Sequence, residues 1–230
     1  MPTAAHSSQN PIKILLILLV YSITLVPIIT LEYSYNAVTL IGSAIGFLIL
    51  LAAGAFLWTH RQQDQNNGLP QAVSVGMALG VLWIIEISVN NFIAPPLPLR
   101  DTLDNTFLAV IASSIFVYSG LCAYRKGWIK AGVAAAAWSG FASGVIAGCM
   151  ALSMIVFGMR FLTEDPLNIA EWLLRGAQSG APGMAAYLAY ETFAGAFLHL
   201  IVLGLVLGFF LGGLGGVLGK TVKVLGRLVR

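Results

Sequence analysis

Apolar residues run through this chain in six blocks, separated by short polar stretches. The blocks fall at about residues 12–31, 37–59, 71–94, 106–124, 130–160 and 187–212. Each comes close to or exceeds the roughly 20 residues that a helix needs to cross a bilayer. The pattern predicts an all-α, polytopic integral membrane protein built as a six-transmembrane-helix bundle. The longest break, 161–186, holds an element of its own. In "DPLNIAEWLLRG", Asp165 is placed to cap a helix, Pro166 takes its first position, Glu171 and Arg175 pair one turn apart, and Gly176 ends it. Leu167, Trp172, Leu173 and Leu174 give that segment apolar surface, so a short external interfacial helix is expected.

Composition agrees with the pattern. Only 9% of residues are charged and 58% are hydrophobic. A soluble domain carries about 25% charged residues, which excludes a water-soluble design. The net charge of +3 arises from residues between the apolar blocks, and no nucleic-acid partner is implied. Cys122 and Cys149 lie inside apolar blocks and away from any zinc spacing, so they read as inert thiols. No cofactor and no metal are expected. The opening "MPTAAHSSQN" reads as a disordered tail over residues 1–10. The block after Lys13 is longer than a signal-peptide core and no small-residue cleavage site follows it, so it reads as a retained span.

Charge also predicts direction. With the N-terminus inside, Lys13, Arg61, Arg125, Lys126, Lys130, Lys220, Lys223, Arg227 and Arg230 fall inside, and Arg100, Arg160 and Arg175 outside. That is a nine-to-three bias of the expected sign. Glu32, Asp101, Asp104, Glu164, Asp165 and Glu171 fall outside, and Asp64 alone inside. The reading is a plasma (inner) membrane protein with both termini cytoplasmic.

Small residues recur every four positions: Gly132, Ala136, Gly140, Gly144 and Gly148 in the fifth block, then Gly204, Gly208, Gly212 and Gly216. Such stripes let helix backbones approach where lipid removes the hydrophobic drive. Packing within the chain is the first expectation, and a homo-oligomer or larger membrane complex the second.

Several strongly polar side chains interrupt the apolar blocks. Glu86 and Asn90 share a face of the third, with Asn91 beside them, and Glu191, Gly195 and His199 follow the same spacing in the sixth. A charge at mid-bilayer costs about 2.5–3.5 kcal/mol on insertion scales, so these groups should face the bundle interior or water. Glu86 lies about 12 Å from the outer end of its block and Glu191 about 6 Å, at 1.5 Å per residue. Arg160 stands at the outer end of the fifth block. One outward-facing cavity could serve Glu86, Asn90, Asn91, Glu191, His199 and Arg160 as a substrate- or proton-binding site.

Two motifs fail on inspection. "LGGVLGKT" has Leu214 where a phosphate loop needs its first glycine. "GFASG" around Ser143 has Phe141 where rhomboid proteases carry glycine, and a Ser143 hydroxyl bonded back to its own helix is the better reading. In span number the chain resembles the vitamin-binding substrate components of energy-coupling transporters, although "IKILLILLVYSITLV" lacks their small-residue motif. No catalytic constellation is present, so an enzyme is not expected.

The basic end, 217–230, completes the organisation as tail (1–10), six-span domain (11–216) and amphipathic cytoplasmic segment. Lys220, Lys223, Arg227 and Arg230 fall within an arc of about 80° on a helix. That face suits anionic lipids. The functional expectation is a small transporter or permease-like protein with its polar cavity on helices 3 and 6. The alternative is a non-catalytic subunit or scaffold whose buried polar residues only fasten helices.

Overall fold

The computed structural model describes residues 10–60 and 68–228, and within them the chain is helical, without strands. The helices are α1 (Asn10–Tyr33), α2 (Ala37–His60), α3 (Leu69–Ser88), α4 (Leu97–Lys126), α5 (Ile129–Phe157), α6 (Met159–Glu164), α7 (Pro166–Leu174), α8 (Met184–Leu198) and α9 (Gly208–Leu228). A π turn, Val89–Ile93, extends α3, and a π-wound stretch, His199–Leu207, joins α8 to α9 without a break. Counted with these extensions, six helices are long and apolar enough to cross a membrane. The tail expected over 1–10 lies outside the described residues except for Asn10, which opens α1. Arg61, Asp64 and Arg230 lie outside them as well.

One boundary departs clearly from expectation. The fourth helix begins at Leu97 rather than near residue 106. Apolarity marks only the part of a helix suited to lipid, whereas here a polar start, "LPLRDTLDNT", is helical too. Pro98 sits in its first turn, where a missing N–H costs nothing. Thr102, Asn105 and Thr106 each donate to the carbonyl four residues back, so their side chains bond within the helix. The α3–α4 connection therefore shrinks to Ala94, Pro95 and Pro96.

α5 is the central post. In an 18-residue stretch of α5, 72% of residues are buried, against 22–39% in the other five long helices. Helices α1, α3, α4 and α8–α9 surround it. The small-residue stripes explain how they come so close. A Cβ added at Gly144 would lie 2.9 Å from the His199 carbonyl oxygen, and one at Gly132 would lie 2.9 Å from the Gly216 Cα. Gly140 faces Gly204 and Gly208 in the same way, and Gly76 of α3 meets the Ser139 backbone. An adjoining strip of the same side of α9 uses Gly215 and Gly219 against Phe116 and Gly120 of α4. Ser119 then donates to the Gly212 carbonyl at 2.9 Å, tying α4 to α9. The stripes of the fifth and sixth blocks thus meet each other within one chain.

The basic C-terminal segment continues the last helix. α9 runs through Gly219 and Gly226 to Leu228, and Lys223 Nζ donates to the Arg125 carbonyl at 2.9 Å. The outward faces carry large apolar side chains, among them Ile17 (66% exposed), Leu48 (63%) and Phe210 (64%).

Candidate functional site

The polar residues of α3 gather at its π turn. Glu86, 7% exposed, stands in the last turn of the regular helix on the side facing the bundle. The Asn90 amide nitrogen donates to Glu86 Oε1 at 2.6 Å and to Asp104 Oδ1, on α4, also at 2.6 Å. Asp104 and Glu86 accept from the same amide nitrogen. Two carboxyl groups and one amide thus converge from two helices. The other Asn90 side-chain atom, Oδ1, is buried and has no partner among the described residues. A π turn widens the helix locally and re-aims its side chains, which is why such turns often mark functional positions.

Asp104 also lines a polar cleft of about 440 Å³ between the start of α4 and α7, together with Arg100, Asp101, Asn168, Glu171 and Arg175. The carboxyl cluster therefore borders an open cleft on one side and the bundle on the other. The cleft is held in shape by Arg100. Its guanidinium donates twice to Asp165, at 2.6 and 2.8 Å, and its Nε donates to the Pro95 carbonyl at 2.8 Å. Asp165 in turn caps α7 by accepting from the Leu167 N–H at 3.0 Å, as its position before Pro166 suggested. Glu171 pairs with Arg175 at 2.6 Å and accepts from the Tyr187 hydroxyl at 2.7 Å. Partial burial pushes the Glu171 carboxyl upward, but its bonds to Arg175 and Tyr187 outweigh that and leave it below the ordinary carboxylate range.

The remaining candidates are placed apart from this cluster. Asn91 donates to the Ile87 carbonyl of its own helix at 2.8 Å. Arg160 pairs with Glu164 at 2.7 Å, with its side chain 81% exposed. Glu191 is exposed on α8 and interacts electrostatically with Tyr187. His199 opens the second π stretch. Its Nδ1 lies 2.8 Å from the Gly195 carbonyl, which can only accept, so that nitrogen carries a proton. The ring meets Trp83 of α3 edge-on, with centroids 5.1 Å apart.

The partner of Glu86 and Asn90 is therefore Asp104 rather than Glu191. The signal that could have found it was "APPLP": a three-residue turn brings Asp104 back alongside Asn90. Ser143 corrects another expectation. Its buried hydroxyl has no partner among the described residues, while Ser139, one turn earlier, is the serine that bonds back, to the Ala135 carbonyl at 2.7 Å. Ser143 instead borders a cavity of about 10 Å³ shared with Trp83 and Gly144. Among the described residues, no three His, Cys, Asp or Glu side chains gather around a common point suited to a metal ion. No protein-family model matches this chain, and comparison with curated proteins and with solved structures finds no relative.

Proposed function

We propose that this chain is a small, permease-like integral membrane protein in which Glu86, Asn90 and Asp104 hold a proton or small cation. One observation carries the reading. Asp104 belongs both to the buried Glu86–Asn90 cluster and to the open cleft beneath α7. Two carboxylates at this range repel unless a proton or cation lies between them, and the cleft supplies a water-accessible route. The apolar outer faces and the six long helices support membrane insertion. The nine-to-three basic bias supports a cytoplasmic location for both termini, with α7 on the outer surface of the plasma (inner) membrane.

A second reading, a non-catalytic subunit, draws on the same asparagine, because Asn90 also fastens α3 to α4. Two measurements on the folded, reconstituted protein separate them. Cysteine at position 90, in a background lacking Cys122 and Cys149, reacts with a small water-soluble thiol reagent if the cleft reaches the cluster. Glu86 is modified by a hydrophobic carbodiimide if it holds a proton, and the modification is read by mass spectrometry. Inertness at both positions sinks the permease reading and leaves the fastener.

A further inference from the structure

At the opposite end of the bundle, a second and larger cleft has a different chemistry. It encloses about 700 Å³ between the first turn of α3, the end of α4 and the start of α5. Its mouth carries Arg125, Lys126 and Lys130, and among the described residues its lining includes no acidic side chain. Lys223 of α9 adds a fourth cation at the same corner, where its ammonium bonds the Arg125 carbonyl. The deeper walls are aromatic and apolar: Tyr118 on one side, Ala131, Ala134 and Trp138 on the other. Tyr118 and Trp138 each lie seven or eight residues along their helices from the cationic mouth, about 10–12 Å at 1.5 Å per residue. Ala134 is exposed, so the wall opens sideways, toward the space that lipid occupies beside membrane-length helices.

We propose that this cleft is a binding site for one anionic phospholipid. Its phosphate sits between Arg125 and Lys130, and its glycerol and upper acyl chains lie along Ala131, Ala134 and Trp138. Charge complementarity selects the anionic head group. The continuous apolar wall below the cations selects a lipid over a free anion, because a soluble phosphate would leave that wall unfilled. Exposed Trp128 at the rim suits the head-group level, where amphipathic rings settle. The site is distinct from the Glu86 cluster, and the C-terminal segment reaches it only through Lys223. It rests on the membrane-spanning reading, which is tested separately by whether the chain stays in the membrane pellet after an alkaline carbonate wash.

The test uses the full chain purified in mild detergent, with phosphatidylglycerol or phosphatidylcholine added and retained lipid read by native mass spectrometry. The expected result is one phosphatidylglycerol per chain, retained at least tenfold better than phosphatidylcholine and unaffected by millimolar inorganic phosphate. Arg125→Gln with Lys130→Gln should lower its retention about thirtyfold, the scale of two cations at a membrane surface. Ala134→Phe keeps every charge but fills the exposed wall, and should lower retention equally. Lys220→Gln with Arg227→Gln, which removes the same charge outside the cleft, should change it less than twofold. The proposal is overturned by equal retention of the two lipids, by displacement with inorganic phosphate, by full retention in the Ala134→Phe variant, or by an equal loss in the Lys220/Arg227 variant.

Discussion

Arg100 and Asp165, 65 residues apart, form a two-pronged ion pair in which the carboxylate is 1% exposed and the guanidinium 13%. The same carboxylate caps α7, so one side chain sets both the start of that helix and its distance from α4. Removing one member of a buried pair strands the other, at a cost of about 3–5 kcal/mol. Arg100→Ala should therefore lower unfolding stability in detergent by that amount. The double variant Arg100→Met, Asp165→Leu should lose less than Arg100→Ala alone. A larger loss in the double variant would mean that the Asp165 cap on α7 outweighs the cost of stranding the carboxylate.

The Glu171 contacts predict an acid-sensitive α7. Its folded carboxyl titrates below the unfolded one, so the stabilisation is complete above the ordinary carboxylate range and disappears as pH falls through it and below. Trp172 stands beside Tyr187, with ring centroids 5.8 Å apart, and can report the change. A protein with Trp172 as its sole tryptophan should show an acid-induced fluorescence transition. Glu171→Gln should flatten that transition; persistence of an identical curve would assign it to another carboxylate.

Glycines within the same helix should respond in opposite directions. A Cβ at Gly219 would collide with the Gly120 carbonyl of α4, whereas one at Gly226 meets nothing within 4 Å. Gly219→Ala should cost about 1–3 kcal/mol through overpacking. Gly226→Ala should gain up to about 1 kcal/mol from helix propensity. Thermal unfolding of the two variants in one detergent distinguishes them, and equal shifts would mean that α4 and α9 do not touch there.

The two buried serines make a similar contrast. Ser119→Ala deprives the Gly212 carbonyl of its donor and should cost about 0.5–1.5 kcal/mol. Ser143→Ala removes a hydroxyl without a partner among the described residues and should be neutral or stabilising by up to about 1 kcal/mol. A clear loss at Ser143 would place an ordered water in the small cavity beside it, since about 10 Å³ is at the lower limit for one.

Orientation is checked by single cysteines at Thr102 and Trp128, both exposed, in a background without Cys122 and Cys149. An impermeant thiol reagent applied to intact cells should label position 102 and spare 128. The reverse pattern would invert the topology.

The parts of this fold legible in the sequence are those written locally. Apolar run length marked the six long helices, and the sequence from Asp165 to Gly176 carried a cap, a proline, an ion pair and a stop for α7. Fourfold glycine spacing marked two faces that prove to meet. What stayed hidden depends on which faces meet. Spacing puts Glu86 and Asn90 on one side of α3, but Asp104 joins them only because Ala94–Pro96 turns so tightly. Arg100 and Asp165 carry no mutual signal at all. The π turns were equally silent, since "VNNFI" and "HLIVLGLVL" have no residue that demands the wider winding.

The burial of α5 has a consequence for the order of assembly. Helices α1, α3 and α4 precede it in the chain and can meet it as soon as it forms. The face carrying Gly140, Gly144 and Gly148 is covered by α8–α9, which are synthesised last. Until then, that groove of exposed backbone stands open to any other helix with small residues at the right spacing. A chain stopped before Met184 keeps its central post but lacks its final cover. The last helix is thus the closing piece, and a truncated chain should be sticky rather than merely shorter.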